Sequence, residues 1–438
     1  MNKSCLRVAV VGIGGFGYAH HLALIDLEKA GLVKVVATCD PRAAWLVEEQ
    51  LRYRFKDRGV AVYADFPSLL AAHGNRLDFV SIVSPMLFHA EQHRACVENG
   101  IACYLEKPPT LDPNELEQMI AVERGARFAT QVGFNFISQP WRQALKKRLI
   151  AGEFGTVRRV GFKGLWRRSQ AYFGRNSWAG SLLVGDSIVT DSCCGNAMAH
   201  FLHNLLFHAG TGSLMSWASP QSVQAELYRA NRIEGADTVF AKGVLDNGVE
   251  FHIAVTHACE PFLSHVELIQ CDRAEIEIRE EGPFTIRYED GTFEVGMAPS
   301  GSLRENLQKY WEYLTGRQRR PSTLLEDCRA FVQLNALFYI AAGKIKKLRP
   351  PHAEAKRVDD DPKDTFCVPG IEQVCGDFLR LGQFPSQSDL PWGAAGGRAF
   401  IGQLPELRRA LVDMRNGDPL GRVLEDDESR DPLAALKD

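Results

Sequence analysis

The stretch that decides the fold is VAVVGIGGFG, residues 8–17. An apolar, largely β-branched run passes here directly into glycines in G-x-G-x-x-G spacing, and a helix-like segment follows. In such a strand–turn–helix unit the first glycine permits a tight turn, the second lets a pyrophosphate approach the backbone, and the third allows close helix–strand packing. The helix N-terminus favours the phosphate charge. The stretch therefore predicts a dinucleotide-binding loop formed by Gly12, Gly14, Gly15, Phe16 and Gly17.

A second predicted strand ends in TCDPR, residues 38–42, about twenty residues after the last glycine. Asp40 stands where a carboxylate accepts hydrogen bonds from the hydroxyls of an adenosine ribose. Because a carboxylate at this place disfavours a 2′-phosphate, the sequence predicts NAD as the cofactor. Arg42 keeps NADP open as an alternative. A glycine-rich turn that binds no nucleotide is a further interpretation of the same residues.

Short apolar runs alternate with helix-like segments through residues 1–135. This alternation indicates a parallel sheet covered on both faces, and hence a doubly wound α/β, Rossmann-type dinucleotide-binding domain. In residues 136–350 strands follow one another with tight turn signals, which predicts an α+β domain with a mostly antiparallel open sheet flanked by helices. Residues 351–438 are predicted to form a C-terminal extension, which packs on this second domain or on a neighbouring subunit. Its polar end, residues 424–438, is expected to be loose.

The composition is typical of a soluble globular protein, with 438 residues, 45% hydrophobic and 24% charged residues, and a net charge near −3. This charge balance gives no reason to expect nucleic acid as a partner. No apolar run reaches the ~18 residues of a membrane span, and the apolar N-terminal run is too short for a signal peptide. The eleven cysteines, an odd number without a C-x-x-C pair, are typical of a reducing compartment and give little support to a metal site. We therefore expect a cytoplasmic protein.

A longer motif, SPMLFHAEQHRACVENGIACYLEKPPTLD at residues 84–112, runs from one predicted strand end to the next. Together with the glycine loop and Asp40, its S-P-x-x-x-H and E-K-P elements resemble the Gfo/Idh/MocA family of oxidoreductases. The resemblance covers about residues 5–345 and implies a two-domain enzyme. Such an enzyme binds a nicotinamide dinucleotide in the first domain and a sugar or polyol against the second sheet. The residues that the resemblance places at the nicotinamide end are Ser84, Pro85, His89 and Glu106.

Lys107 is the candidate for proton transfer. It ends the strand-like run IACYLEK, and strand ends of a doubly wound sheet point into the ligand crevice. Partial burial there lowers the pKa of a lysine toward the working pH, so that its amine can exchange a proton with a reacting hydroxyl. Pro108 shapes the turn that aims it. The alternatives are a surface lysine at a strand end and, for His89, a role in helix capping and packing only.

The stretch TDSCCGNAMAHFLHN, residues 190–204, stands where the family presents D-x-G-x-H-x-x-D, and the literal pattern is absent. The i, i+4, i+7 spacing of Asn196, His200 and His203 places all three along one helical face. The resemblance aligns His200 with the catalytic histidine, and Asn196 and His203 with the two acidic positions. It implies that His200 cooperates with Lys107, while Asn196 and His203 contact the substrate.

Two other interpretations of this stretch stay open. One is that the histidines lie on an apolar helix and pack in the core of the protein, as many histidines do. A metal site would use Cys193, Cys194, His200 and His203, but adjacent cysteines project in divergent directions and the loop would have to double back to close a tetrahedral site.

Further substrate candidates come from side chains suited to sugars. WRRSQAYFGRNSWAG, residues 166–180, combines aromatics, which stack on sugar faces, with arginines, which bind carboxylate or phosphate through two hydrogen bonds. An anionic sugar derivative is therefore one option for the substrate. Asn135, in GFNFISQP, occupies the position at which the family pattern has an arginine. The residues assigned to the substrate here are Asn135, Trp166, Arg167 and Tyr172.

Together these residues predict an NAD(P)-dependent oxidoreductase that transfers a hydride between nicotinamide and a secondary hydroxyl of a sugar, sugar acid or cyclitol. One alternative is an NAD-dependent glycosidase that uses transient oxidation and elimination, and another is a non-enzymatic NAD-binding regulator. Because sheets of such enzymes often stack face to face between subunits, the resemblance also implies a homodimer or homotetramer.

Overall fold

The chain forms two sheets with helices packed on them, followed by a C-terminal segment that packs on the second sheet. In the part of the chain that the structure describes, no helix has the length and apolar character needed to cross a bilayer. The predicted loose end at 424–438 lies outside the described residues. The computed structural model describes residues 5–261, 263–279, 282–299, 301–358 and 361–417.

The first domain is a doubly wound parallel sheet. Its strands are β1 (Leu6–Val11), β2 (Val33–Cys39), β3 (Ala61–Tyr63), β4 (Phe79–Ile82), β5 (Ala102–Leu105) and β6 (Gln131–Val132). Its helices are α1 (Gly17–Lys29), α2 (Val47–Arg52), α3 (Phe55–Arg58), α4 (Phe66–His73), α5 (His89–Glu98) and α6 (Pro113–Glu123). The strand order β3-β2-β1-β4-β5-β6 reverses beside β1, which leaves a crevice at the carboxyl ends of β1 and β4. The predicted Rossmann-type sheet is confirmed.

The second domain is built on a mixed, mostly antiparallel sheet. Its helices are α7 (Pro140–Ile150), α8 (Gln170–Phe173), α9 (Ala199–Ala209), α10 (Leu303–Leu314) and α11 (Arg329–Ala342). Its strands are β7 (Val157–Leu165), β8 (Leu183–Val184), β9 (Ser187–Ile188), β10 (Pro220–Arg229), β11 (Thr238–Leu245), β12 (Glu250–Thr256), β13 (Ser264–Cys271), β14 (Ala274–Arg279), β15 (Gly282–Tyr288), β16 (Phe293–Ala298) and β17 (Ile345–Lys347). The main path is β16-β15-β14-β13-β7-β12-β11-β10-β17, with parallel pairing only at β7 with β12 and at β10 with β17 among the described strands of this sheet. The predicted open sheet flanked by helices is confirmed.

Helix α10 follows the second sheet in sequence but packs on the first domain. Tyr310 and Trp311 are buried in the apolar core around β1, β2 and β5. The Tyr104 hydroxyl and the Gln131 side-chain amide both donate to Asn306 Oδ1, each over 2.8 Å. The first domain therefore completes its core with a helix from far along the chain, which the strand pattern of residues 1–135 does not reveal.

The C-terminal segment packs on the second domain. Its elements are β18 (Glu354–Val358), β19 (Asp361–Cys367), α12 (Ile371–Leu381), β20 (Arg398–Phe400) and α13 (Leu407–Asn416). Helix α12 covers the outer face of the sheet, β20 pairs with β10, and α13 packs against α11. The ring of Phe378 in α12 lies 5.3 Å from that of Phe240 in β11, and Trp392 lies 5.2 Å from Tyr228 in β10. Of the two placements left open by the sequence, the segment thus packs on its own second domain. Subunits were expected to stack face to face on this side of the sheet, but α12 occupies its central part.

Candidate active site

The glycine loop between β1 and α1 has the geometry expected of a phosphate-binding turn. Gly12 has a φ of +110°, and a Cβ at Gly17 would lie 2.6 Å from the Gly12 carbonyl oxygen, so both positions require glycine. A Cβ at Gly14 would meet its nearest neighbour, Leu46, only at 3.5 Å, and one at Gly15 would meet no described atom within 4 Å. Since the protein does not fill the space beside these two glycines, the loop fits a bound pyrophosphate. Phe16, 57% exposed, follows them.

Asp40 is tied to this loop through its carboxylate. Its Oδ2 accepts hydrogen bonds from the backbone N–H of Ile13 over 2.9 Å and of Gly14 over 3.3 Å, and its Oδ1 accepts one from Arg42 N over 2.9 Å. The negative charge therefore stands at the carboxyl end of β2 beside the loop, where it would repel a 2′-phosphate. The Arg42 guanidinium would lie 3.7 Å from a Cβ at Gly14, so the cation and the carboxylate flank the same space.

Glu106, at the carboxyl end of β5, is held by buried polar groups. Its Oε1 lies 2.9 Å from His20 Nε2, and the other ring nitrogen of His20 lies 2.8 Å from Ser81 Oγ. Its Oε2 accepts a hydrogen bond from Lys107 N over 3.1 Å, and a Cβ at Gly133 would lie 2.8 Å from Oε1. These contacts fix Glu106 next to Lys107 at the carboxyl end of β5. The sequence missed His20 because a histidine inside an apolar helix carries no signal of its own.

His89 connects two loops of the first domain. Its Nε2 lies 3.0 Å from the Ser84 carbonyl oxygen and its Nδ1 lies 3.1 Å from that of Pro108. The ring is 2% exposed, and burial lowers the pKa of His89. Ser84 donates its hydroxyl to Gln92 over 2.6 Å, while Pro85 is exposed beside it. These contacts fit the packing role that the sequence left open for His89, which holds the Lys107 loop to the end of β4.

Lys107 reaches from the first domain into the second. Its Nζ donates a hydrogen bond to the Asn196 carbonyl oxygen over 2.8 Å, and the Lys107–Pro108 peptide bond is cis. Burial lowers the pKa of Lys107, while the carboxylates of Glu106 and Asp191 act in the opposite direction. The structure therefore brings together the lysine and the helix start that the sequence paired.

Asp191 is a site residue that the sequence alone did not identify. It is 3% exposed, and its oxygens accept hydrogen bonds from Asn196 Nδ2 and Gly180 N, each over 2.8 Å. Burial raises the pKa of Asp191. The only sequence signal was the polar pair Thr190-Asp191 between apolar segments. Asp191 orients the Asn196 amide, and with Lys107 it forms a continuous polar chain across the domain boundary.

His200 lies in the first turn of α9, one helical turn after Asn196. Its ring stacks on Phe136, with centroids 4.5 Å apart, and within the described residues its Nδ1 has no hydrogen-bond partner. Burial keeps the pKa of His200 well below its usual range, and the Lys107 cation adds to this effect. His200 is thus a neutral imidazole within electrostatic reach of Lys107.

His203 and Asn135 occupy more enclosed places. His203 is 0% exposed, its ring stacks on Phe134 at 4.0 Å, and neither ring nitrogen has a hydrogen-bond partner within the described ranges. Burial lowers the pKa of His203 to about 3. The structure therefore places His203 in the core, where the expected substrate contact would need a conformational change. Asn135 is half-buried, and its Oδ1 is likewise unpartnered in the described chain.

The basic aromatic stretch after β7 surrounds Tyr172. The Arg168 guanidinium carbon lies 4.1 Å from the ring centre of Trp166 and 4.5 Å from that of Tyr172, and Arg175 lies 3.7 Å from Tyr172. Arg168 also contributes to lowering the pKa of Lys107, after burial, so it lies within electrostatic range of the lysine. Arg167, the arginine assigned from sequence, instead donates to the Glu260 carbonyl oxygen over 2.9 Å. Consecutive side chains point to different sides near the end of β7. The sequence alone did not show which of the two arginines faces Tyr172.

Cys193 and Cys194 form part of a buried π-helical turn before α9. The Cys193 thiol faces the carbonyl oxygens of Ala236 and Val255, at 4.0 and 3.8 Å. Across the described ranges, no three side chains of His, Cys, Asp or Glu come together as metal ligands would.

Comparison with known proteins agrees with this geometry. The model of an oxidoreductase family with an NAD-binding Rossmann fold matches residues 6–134. D-apiose dehydrogenase of Paraburkholderia graminis is 30% identical over 173 residues, which is 38% of this chain and 44% of the relative. The scyllo-inositol 2-dehydrogenase (NAD(+)) of Bacillus subtilis is 28% identical over 163 residues, or 37% of this chain and 44% of the relative. The match thus spans less than half the length of these curated relatives.

The similarity in fold extends further along the chain. The WlbA dehydrogenase of Chromobacterium violaceum, solved in complex with NADH and UDP-GlcNAcA, superimposes with a TM-score of 0.63 at 18% identity. The superposition covers 78% of this chain and 94% of that one, so the shared fold includes the second sheet as well as the first.

Proposed function

We propose that this chain belongs to the Gfo/Idh/MocA oxidoreductase family, whose model matches residues 6–134, and that it is an NAD-dependent dehydrogenase of sugar-like secondary hydroxyls. The substrate class would be a sugar, sugar acid or cyclitol. The observation that carries this proposal is the contact between domains, where Lys107 Nζ meets the Asn196 carbonyl oxygen at the start of α9. The activities named for the relatives, on apiose, scyllo-inositol and D-glucosides, support the class of substrate.

The first domain would hold the cofactor. The loop from Gly12 to Gly17 would bind the pyrophosphate, Asp40 the adenosine ribose, and Ser84 with Pro85 would line the nicotinamide end. When bound, NAD would accept the two electrons and the hydrogen of the carbinol C–H bond, which leaves a ketone. The exposed apolar ring of Phe16 would cover one side of the loop.

The remaining proton of the reacting hydroxyl would pass to Lys107. Burial favours the neutral amine, which has a free lone pair to take that proton. Asn196 and Asp191 keep Lys107 at this position from the second domain, and the neutral imidazole of His200 would share a hydrogen bond with the same hydroxyl. In the reverse direction Lys107 would return the proton to the ketone oxygen.

The test is Lys107→Met, which keeps the length of the side chain and removes its amine. With NAD and a panel of sugars, sugar acids and cyclitols, turnover measured as NADH formation should fall at least ~100-fold. Binding of NAD should stay within about threefold, because the glycine loop and Asp40 are untouched. The matched control is Lys29→Met, which removes a lysine whose side chain is 73% exposed at the end of α1. Equal turnover by wild type and Lys107→Met would rule out the proton-transfer role.

Location and assembly are further parts of the proposal. A cytoplasmic location is supported by the eleven cysteines, which are all free thiols in the structure. For self-association we propose the free end of the second sheet, since α12 covers its centre. Phe293, Val295 and Met297 on β16 are 69%, 60% and 66% exposed, and they lie on one side of the strand. Within the described residues no strand pairs with the outer edge of β16. No observation favours the glycosidase or regulator alternatives.

A further inference from the structure

The cluster around Tyr172 has an unusual arrangement of charge. Arg168 and Arg175 both pack on this ring, and Trp166 and Trp178 complete the aromatic surroundings at 4.1 and 5.3 Å from the respective guanidinium carbons. Arg175 is partly satisfied, because it donates to the Tyr172 carbonyl oxygen over 2.6 Å. The Arg168 guanidinium interacts with the Tyr172 side chain, but its Nε is buried and has no hydrogen-bond partner among the described residues.

Cations outnumber carboxylates at this place. Arg168 acts electrostatically on Lys107 and Arg175 acts on Arg168, while Asp191 and Glu106 are the acidic groups that act on Lys107. Asp191 already accepts two hydrogen bonds and lies 3.7 Å from Arg175, and Glu106 is paired with a buried histidine. In the described chain no carboxylate forms an ion pair with Arg168. A half-buried guanidinium without an anion is costly, and a planar guanidinium is well suited to bind a carboxylate through two hydrogen bonds.

We propose that Arg168, supported by Arg175, binds a carboxylate of the substrate, so that the enzyme acts on sugar acids in preference to neutral sugars. This inference rests on the proposed function for the identity of the reaction, but the binding itself does not require turnover. Since Arg168 lies within electrostatic range of Lys107, the carboxylate belongs to the same small ring or chain as the reacting hydroxyl. A phosphate ester has related chemistry and is one outcome of the test.

The experiment measures binding by calorimetry to the protein saturated with NADH. The probes are glucuronate, gluconate, glucose and glucose 6-phosphate. We expect one of the two acids to bind at least ~10-fold more tightly than glucose, which is the range of a charge-assisted hydrogen bond. Arg168→Met should abolish this difference and leave the affinity for glucose within about threefold, because only the anion loses its partner. Arg168→Lys should retain part of the preference, since it keeps the charge but not the planar fork.

Two further variants show whether the preference for acids depends on Arg168 or on any nearby arginine. Arg232→Met removes an exposed arginine from a nearby loop and should leave the preference for acids unchanged. Arg167→Met removes the neighbouring arginine that faces the Glu260 carbonyl. A greater loss with Arg167→Met than with Arg168→Met would overturn the assignment of the anion to Arg168.

The outcomes also distinguish this inference from the proposed function. Tight binding of an acid without NADH formation from any substrate would contradict the proposed dehydrogenase activity and support the anion site. Oxidation of glucose or inositol, with no tighter binding of either acid, would overturn the anion site and leave the dehydrogenase standing. If neither acid binds, the anion site is overturned as well. Tighter binding of glucose 6-phosphate than of either acid would overturn the choice of a carboxylate as the bound group. An unaltered NADH affinity and melting temperature of Arg168→Met would show that the variant is folded.

Discussion

Lys107 is the side chain at which the two domains meet. It follows β5 of the first sheet, yet its ammonium donates to a carbonyl oxygen of the turn before α9. The carboxylates of Glu106 and Asp191 and the guanidinium of Arg168 all act electrostatically on it. The balance of these groups sets how easily the amine gives up its proton. Burial is the largest contribution, so the pKa of Lys107 lies below its ordinary 10.5.

This lowered pKa predicts the pH dependence of the proposed oxidation. The neutral amine is the form that takes the proton, and its fraction increases as pH increases through the lowered pKa. The value of kcat/KM for the proposed oxidation should therefore rise with pH, and the midpoint of the rise should lie below pH 10.5. The measurement is a pH profile of wild type beside that of Lys107→Met, in which this rise should be missing. An identical rise in both proteins would assign the titration to another group.

At the scale of elements, the contact between α12 and β7 decides how the second sheet is covered. The Cδ1 atom of Leu379 in α12 lies 2.6 Å from the position that a Cβ at Gly161 of β7 would occupy. A larger residue at this position would displace the Leu379 side chain or the helix that carries it, since cores accommodate added atoms poorly. The absence of a side chain at Gly161 therefore allows the close approach of α12.

Gly161→Val should destabilise the protein by about 1–3 kcal/mol, because the added methyl groups overlap Leu379. The matched control is Gly376→Ala inside α12, where a Cβ would meet no described atom within 4 Å. That change should stabilise by up to about 1 kcal/mol through helix propensity. Chemical denaturation of both variants is the measurement. A neutral Gly161→Val would show that α12 does not pack on β7 as described.

At the scale of the whole molecule, the covered sheet leaves a different surface for association. The C-terminal segment occupies the outer face at β7, β11 and β12, whereas β16 at the end of the sheet exposes alternate apolar side chains. An exposed edge strand with an apolar side favours pairing with a second copy.

Val295→Glu should convert an associated form of the protein into a monomer of 48.7 kDa, because it places a charge in the middle of the apolar strip. Light scattering after size-exclusion chromatography gives the mass directly. The control is Val412→Glu, which adds the same charge at a residue 39% exposed on α13 and should leave the mass unchanged. A wild-type protein that is already monomeric, or a Val295→Glu variant that still associates, would contradict association through β16.

The sequence alone determined the first sheet, its glycine loop, the place of Asp40 and the position of Lys107. These features depend on local patterns, because strand period, turn geometry and strand-end position follow from neighbouring residues. It also identified the helical face that begins at Asn196, since helix spacing is local as well.

Only the tertiary structure decided which side chains meet. It placed Asp191 against Asn196, Arg168 rather than Arg167 over Tyr172, and His203 in the core. It also laid the C-terminal segment across the second sheet. Contacts between residues far apart in the chain depend on how the elements pack, and burial sets the charge state of the groups enclosed there. The order of residues contains the chemistry of the site, but the packing of the two domains decides which part of it faces a substrate.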